Sequence, residues 1–241
     1  MTRISENISA VRERIEAAAR RKSRNPSSIA LMAVCKTKSA EEVRAAYDAG
    51  QRLFGENRIQ EFQGKVEALA SLRSGPDEGA ARFHLIGHLQ SNKTTPAAEL
   101  FDAVDSADSL HVLERLNAAA LKLNKIIPVL LEINIGGEEQ KAGLPADQSR
   151  LNQILLEAPR LEAIRIQGLM TVPPYTEDPD AARQYFRKLR ELRDQIASRK
   201  LTGVSMDELS MGMSHDFEVA VEEDSTCVRV GTAIFGARNY T

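Results

Sequence analysis

Ile4, Ile8, Val11 and Ile15 recur every three or four residues in "MTRISENISAVRERIEAAARR". That spacing lines one face of a helix with apolar side chains, so an amphipathic helix opens the pattern. The rhythm then changes. Eight short apolar segments follow: "IALMAV", "RLFGE", "RFHLIG", "LFDAVDS", "IIPVLLEINI", "IRIQGLMTV", "ELSMGMS" and "TCVRVG". Several are nearly continuous hydrophobic runs rather than alternating ones, which suits parallel strands buried on both faces. Polar, helix-period stretches lie between them. Ser39 and Glu42 form a capping-box pattern. "NRIQEFQGKVEALASL" is helical in period. A helix is expected from Ser109 to Leu123, with Leu110, Leu113 and Leu116 on one face, and another near Asp147 to Glu157. Asp178-Pro179 is a helix start, followed by the stripe Tyr185, Phe186, Leu189, Leu192 and Ile196.

Eight strands alternating with helices predict an α/β fold, a single (β/α)8 TIM barrel with an extra N-terminal helix. It is expected to occupy residues 1–241 as one domain, leaving no residues for a second. The runner-up is an open doubly wound sheet, but no glycine-rich dinucleotide fingerprint follows the first strand. The chain has no internal repeats. Its flexible stretches are expected at "RSGPDEGAAR" and "GGEEQKAGLP", both rich in glycine and charge.

Charge narrows the partners. There are 32 basic and 34 acidic residues, net -2, which gives no electrostatic case for nucleic acid or a membrane surface. No apolar stretch approaches the roughly 20 residues that cross a bilayer. The N-terminal segment is charged throughout and lacks a signal-peptide core, so the expected location is cytoplasmic. The only two cysteines, Cys35 and Cys227, each sit beside valine in an apolar run, as buried thiols do. Two cysteines do not make a disulfide scaffold.

The segment "ALMAVCKTKSAEE" ends an apolar strand in a charge, Lys36. Barrel enzymes place their chemistry at this end of the strands. An amine desolvated there is a nucleophile toward an aldehyde or ketone; the plainer alternative is a lysine reaching out of the core to water. "MSHD" after the seventh strand and "RVGTAIFG" at the eighth fall where barrels often hold phosphate. Gly231 admits close backbone approach, Thr232 adds a hydroxyl and Ser214 a second. A tight turn and a helix N-cap explain Gly231 and Ser214 equally well, but not their coincidence with Lys36. Arg229, flanked by valines, needs a buried partner. It would lie next to Lys36, because the first and eighth strands pair to close a barrel. Strand parity then turns Cys35 outward and Cys227 inward. His84 and His88 lack a zinc-type spacing, so no metal is expected, and His84 is expected to line the core. Met206, Met211 and Met213 are read as packing.

Taken in order, "LMAVCKTKS", "FGENRIQE", "FHLIGHLQSNK", "LLEINIG", "GLMTV", "LSMGMSHDFEVAV" and "VRVGTAIFGARN" resemble the pyridoxal-phosphate homeostasis (YggS/PROSC) family over essentially the whole chain. That family is similar to the N-terminal barrel of alanine racemase and binds pyridoxal 5'-phosphate. The resemblance implies that Lys36 holds the cofactor as a Schiff base. It implies that Ser214, Gly231 and Thr232 hold its phosphate with help from the Met213 amide, that Arg229 faces the pyridine nitrogen, and that Asn57 lines the ring. The family often has serine at Cys35, tyrosine at Arg58 and tryptophan at Phe83. Its members are implicated in balancing vitamin B6 and amino-acid pools without robust catalysis. Arginine beside the pyridine nitrogen cannot accept its proton, which weakens the ring as an electron sink. The expected role is therefore a monomeric cofactor carrier or regulator whose partners are the cofactor and apo-enzymes that need it. The alternatives are a low-activity racemase-like enzyme and a cofactor-free Schiff-base aldolase acting through Lys36.

Overall fold

A computed structural model describes residues 2–74, 79–138, 140–145 and 148–237. The middle of the first glycine-rich loop, part of the second, and Asp147 of the expected seventh-helix start lie outside the described residues.

Eight parallel strands form the barrel: β1 (Ala30–Val34), β2 (Leu53–Glu56), β3 (Arg82–Leu85), β4 (Ala103–Ala107), β5 (Ile127–Asn134), β6 (Ile164–Met170), β7 (Val204–Ser210) and β8 (Cys227–Val230). Each neighbours the next from β1 to β4 and from β5 to β8. Pairing of β4 with β5 and of β1 with β8 closes the ring. A two-residue strand, Leu144–Pro145, adds to the end of β5.

The closed sheet buries two separate layers, and alternation along each strand assigns side chains to them. On β1, Leu31, Ala33 and Cys35 join the outer layer beneath the helices, with Phe54, Phe62, Phe83 and Phe101 nearby. Phe62 sits at the centre of that aromatic group, 4.7 Å from Phe83 and 4.9 Å from Phe101 between ring centroids. Met32 faces inward, level with Arg229 on β8. The interior is narrow. A Cβ at Gly55 would come within 2.7 Å of Met32 Sδ, and one at Gly168 within 1.8 Å of the Glu208 carbonyl oxygen. Only glycine lets β6 and β7 approach this closely.

The N-terminal helix, Arg3–Arg21, buries Ile8, Val11, Ile15, Ala18 and Ala19. It packs on the helices Phe217–Glu222 and Thr232–Phe235 beside the closing seam. The expected stripe on Arg183–Ser198 is real: Phe186, Leu189 and Ile196 are buried. Its opposite side sends Arg183, Arg187 and Arg190 to buried Glu223, which ties two helices together. Among the described residues no helix is long and apolar enough to cross a membrane.

Two expected boundaries shift. The seventh strand is Val204–Ser210 rather than "ELSMGMS". Gly212, with φ +94° and no room for a Cβ against Ala220 and Phe217, turns the chain out of the sheet. The run "NRIQEFQGKVEALASL" is two short helices, Ile59–Gln63 and Ala70–Arg73, interrupted after Gly64.

Candidate functional site

Lys36 lies two residues beyond β1, in a turn that follows Cys35. Met32 on β1 faces inward, while Cys35, just past the strand's end, is buried on the outer side. Lys36 lines a small cleft with Val34, Thr37, Lys38, Gly231, Thr232 and Gly236. The β1–β8 pairing therefore brings together residues almost 200 positions apart.

The far wall of this cleft is a turn of helix, Thr232–Phe235, with Gly231 before it. A Cβ at Gly231 would stand 3.3 Å from the Val34 carbonyl oxygen, so the missing side chain keeps the seam closed. Ser214 reaches the same turn from the loop after β7, and its Oγ accepts from the Ala233 N–H at 3.4 Å. Hydroxyls and amides thus converge a short distance from an amine, a donor set suited to a phosphate beside a carbonyl group.

Arg229 lies one layer deeper. It is 4% exposed, its Nη1 donates to Ser210 Oγ and its Nη2 to the Thr171 carbonyl, each at 2.7 Å. Burial lowers its pKa, opposed by Cys227, Asp105, Glu132 and Asp216. It remains a cation and a donor. Cys227 also points into the barrel, where burial pushes its thiol up to about 12. The two thiols therefore face opposite layers, as parity requires.

Two expected residues sit differently. Asn57 follows β2 but lines an adjoining cleft with Leu85, His88 and Lys93. Gly87 packs so tightly on its backbone that a Cβ there would lie 2.1 Å from the Asn57 carbonyl oxygen. The Met213 N–H donates to Asp216 Oδ1 at 2.7 Å, so that amide is engaged within its own loop. His84 pairs with Asp105 inside the barrel at 3.0 Å, a lining role, and no metal-binding group occurs among the described residues.

Sequence reasoning missed Thr171, Ser210 and Glu132. Glu132 stands 9% exposed on β5, its carboxyl raised to about 7 by burial and by Asp108, with Arg229 opposing. A carboxylate inside "LLEINI" was the available signal.

Barrel, seam and rim together define a protein of the alanine-racemase N-terminal-domain class, and residues 6–239 match the family model described as "Alanine racemase, N-terminal domain". The pyridoxal phosphate homeostasis protein of Aquifex aeolicus is 42% identical over 236 residues, 98% of each chain. That of Pseudomonas aeruginosa is 42% identical over 241 residues, 100% of this chain and 98% of the relative. The solved structure of PipY from Synechococcus elongatus PCC7942 with PLP bound superposes with a TM-score of 0.82 at 35% identity, covering 97% of this chain and 100% of that one. The chain belongs to the pyridoxal phosphate homeostasis protein family.

Proposed function

We propose that this protein binds pyridoxal 5'-phosphate as a Schiff base on Lys36 and acts in vitamin B6 and amino-acid homeostasis without robust catalysis. The observation that carries this reading is the shared cleft of Lys36, Gly231 and Thr232, with Ser214 bonded to the same turn. The residues fit the group: a nucleophilic amine for its aldehyde, hydroxyls and a glycine-flanked turn for its phosphate, and a cation for its ring nitrogen. Relatives named for pyridoxal phosphate and a PLP-bound neighbour support it. When bound, the cofactor supplies an aldehyde and an electron-withdrawing ring. Lys36 would hold the group through its aldehyde carbon, with one water released. Gly231, Thr232 and Ser214 orient the phosphate. Arg229, held by Ser210 and Thr171, presents N–H groups and positive charge, which disfavours a protonated ring nitrogen. Asn57 would line the ring's side of the site from its own cleft, and the Met213 amide would assist only on leaving Asp216.

In this reading residues 1–241 form one domain that works as a cytoplasmic monomer and exchanges cofactor with apo-enzymes that need it. A racemase-like enzyme of low activity is the second reading. The buried Glu132 carboxyl, raised to about 7, favours it as a group able to gain and lose a proton near neutrality.

The test is the visible spectrum of purified protein before and after borohydride, with the modified peptide identified by mass. A reducible band trapped on the Lys36 peptide, lost in Lys36→Ala, is expected. Trapping at another position in the parent protein, or none after loading, would reject the reading.

A further inference from the structure

Behind the turn that carries Lys36, on the outer side of the sheet, stands a second lysine. Lys65 is 8% exposed, and its Nζ donates to the carbonyl oxygens of Cys35 at 3.0 Å and Lys38 at 2.9 Å. These two carbonyls bracket Lys36 and Thr37. The same ammonium is 2.7 Å from Glu56 Oε1 and 3.3 Å from Glu61 Oε1. Glu61 Oε1 in turn accepts the Thr37 N–H. Glu56, fully buried, also accepts a hydrogen bond from the Cys35 thiol at 3.1 Å.

The turn needs such a hold. Thr37 has φ +63°, a left-handed conformation that is unfavourable for a β-branched residue and persists only where the surroundings enforce it. Its backbone groups would otherwise relax toward water. The three N–H donors of one ammonium serve the two carbonyls and Glu61, while the Glu56 carboxylate pairs with its charge.

We propose that Lys65 is a positioning residue whose ammonium clamps the Cys35–Lys38 turn from behind and so fixes where the Lys36 amine enters the cleft. The proposal rests on the Lys36 reading above. Burial pulls the Lys65 amine down, but Glu56 and Glu61 outweigh it and the net direction is up. Lys65 therefore stays protonated and does not compete for an aldehyde. Gripping the backbone from the outer layer leaves the cleft side of the turn open.

The structure also supplies a reporter and a control. Cys35 lies inside the clamp and Cys227 inside the barrel, both buried. Lys65→Met removes the clamp but strands Glu56; the double variant Glu56→Gln, Lys65→Met removes the stranded charge as well, and each of its rates is compared with that of Glu56→Gln alone, because Glu56 also holds the Cys35 thiol. In cofactor-free protein, the rate of modification by a chromogenic disulfide reagent is followed at each cysteine by peptide mass. In loaded protein, the release of pyridoxal 5'-phosphate and the pH dependence of its visible band are followed. In the folded double variant, Cys35 should react about tenfold faster, the effect of roughly one lost charge-assisted hydrogen bond, while Cys227 stays unreactive. Cofactor release should accelerate by a similar factor, and the pH at which the band changes should move. Equal acceleration at both cysteines would mean general loosening and overturn the proposal, as would unchanged release. If the parent protein formed no bond at Lys36, the functional reading would fail while the two cysteine rates still decided whether the clamp exists.

Discussion

Arg229 is fixed to Ser210 by a 2.7 Å hydrogen bond from Nη1 to Oγ, so β8 and β7 are joined inside the barrel through a buried cation. Such a bond to a charged group is worth about 1.5–3 kcal/mol. Ser210→Ala should lower stability by that amount, read from urea unfolding of cofactor-free protein. The same variant should alter the absorption of bound pyridoxal 5'-phosphate, because the guanidinium is no longer held on that side. An unchanged unfolding midpoint would show that Thr171 alone fixes the arginine.

Thr232 should discriminate phosphorylated from unphosphorylated cofactor. Titration of the parent protein should give tighter binding of pyridoxal 5'-phosphate than of pyridoxal. Thr232→Val should narrow the gap by roughly 10- to 100-fold, one charge-assisted hydrogen bond. Equal affinities in the parent would remove the phosphate site from this rim.

Loaded protein incubated with alanine or serine in heavy water should show exchange at the Lys36 linkage but little deuterium at Cα. In the proposed site Arg229 would leave the ring a weak electron sink, and each 1.36 kcal/mol of lost transition-state stabilisation slows the step tenfold. Multiple Lys36-dependent turnovers per second, with inversion seen by chiral analysis, would install the enzyme reading. Glu132→Gln would then be expected to suppress them.

The stability of cofactor-free protein should fall as pH rises from the unfolded glutamate's range toward neutrality, through Glu132. Burial raises its carboxyl to about 7, whereas an unfolded glutamate titrates near ~4.3. Between those values the native state binds the proton and the unfolded state does not, so stability decreases with pH. The loss is complete above the folded pKa and amounts to at most roughly 4 kcal/mol. Urea unfolding from pH 5 to 8 should show a shallower decline in Glu132→Gln than in the parent. Parallel curves would contradict the assignment.

Gly168→Ala should be among the most damaging single methyl additions. The new carbon would meet the Glu208 carbonyl oxygen at 1.8 Å, and that oxygen belongs to a paired strand that cannot step aside. A loss of about 3 kcal/mol or more is expected, above the usual range for overpacking. A thermal midpoint within a degree or two of the parent would refute it.

Much of this was legible from local pattern. Short apolar segments between helix-period stretches gave all eight strands, several of them as continuous runs, because parallel barrel strands are buried on both faces and need no long-range information to be seen. Parity set the two cysteines on opposite layers, with Cys35 outward and Cys227 on the same side as Arg229. The seventh strand slipped because "ELSMGMS" is apolar enough for a strand, and only Gly212 packing against Ala220 shows where it leaves the sheet. The long helical run splits at Gly64, which caps the helix Ile59–Gln63, and a turn carries Lys65 before the helix Ala70–Arg73 begins. Partners were harder to read. Arg229 clearly required some, but Ser210 and Thr171 lie 19 and 58 positions away and carry no distinctive local pattern. The engagement of the Met213 amide by Asp216 is likewise a property of a folded loop, not of a spacing.

The seam between β1 and β8 sets a timetable. Lys36 belongs to the first barrel strand and Gly231 with Thr232 to the end of the last, and they share a cleft only once those strands pair. A ribosome-bound chain lacking β8 carries the amine but not the opposite wall. In the proposed site, competence to take up cofactor would therefore arrive late in synthesis, when the barrel closes, and incomplete chains would lack the wall needed to sequester a reactive aldehyde there.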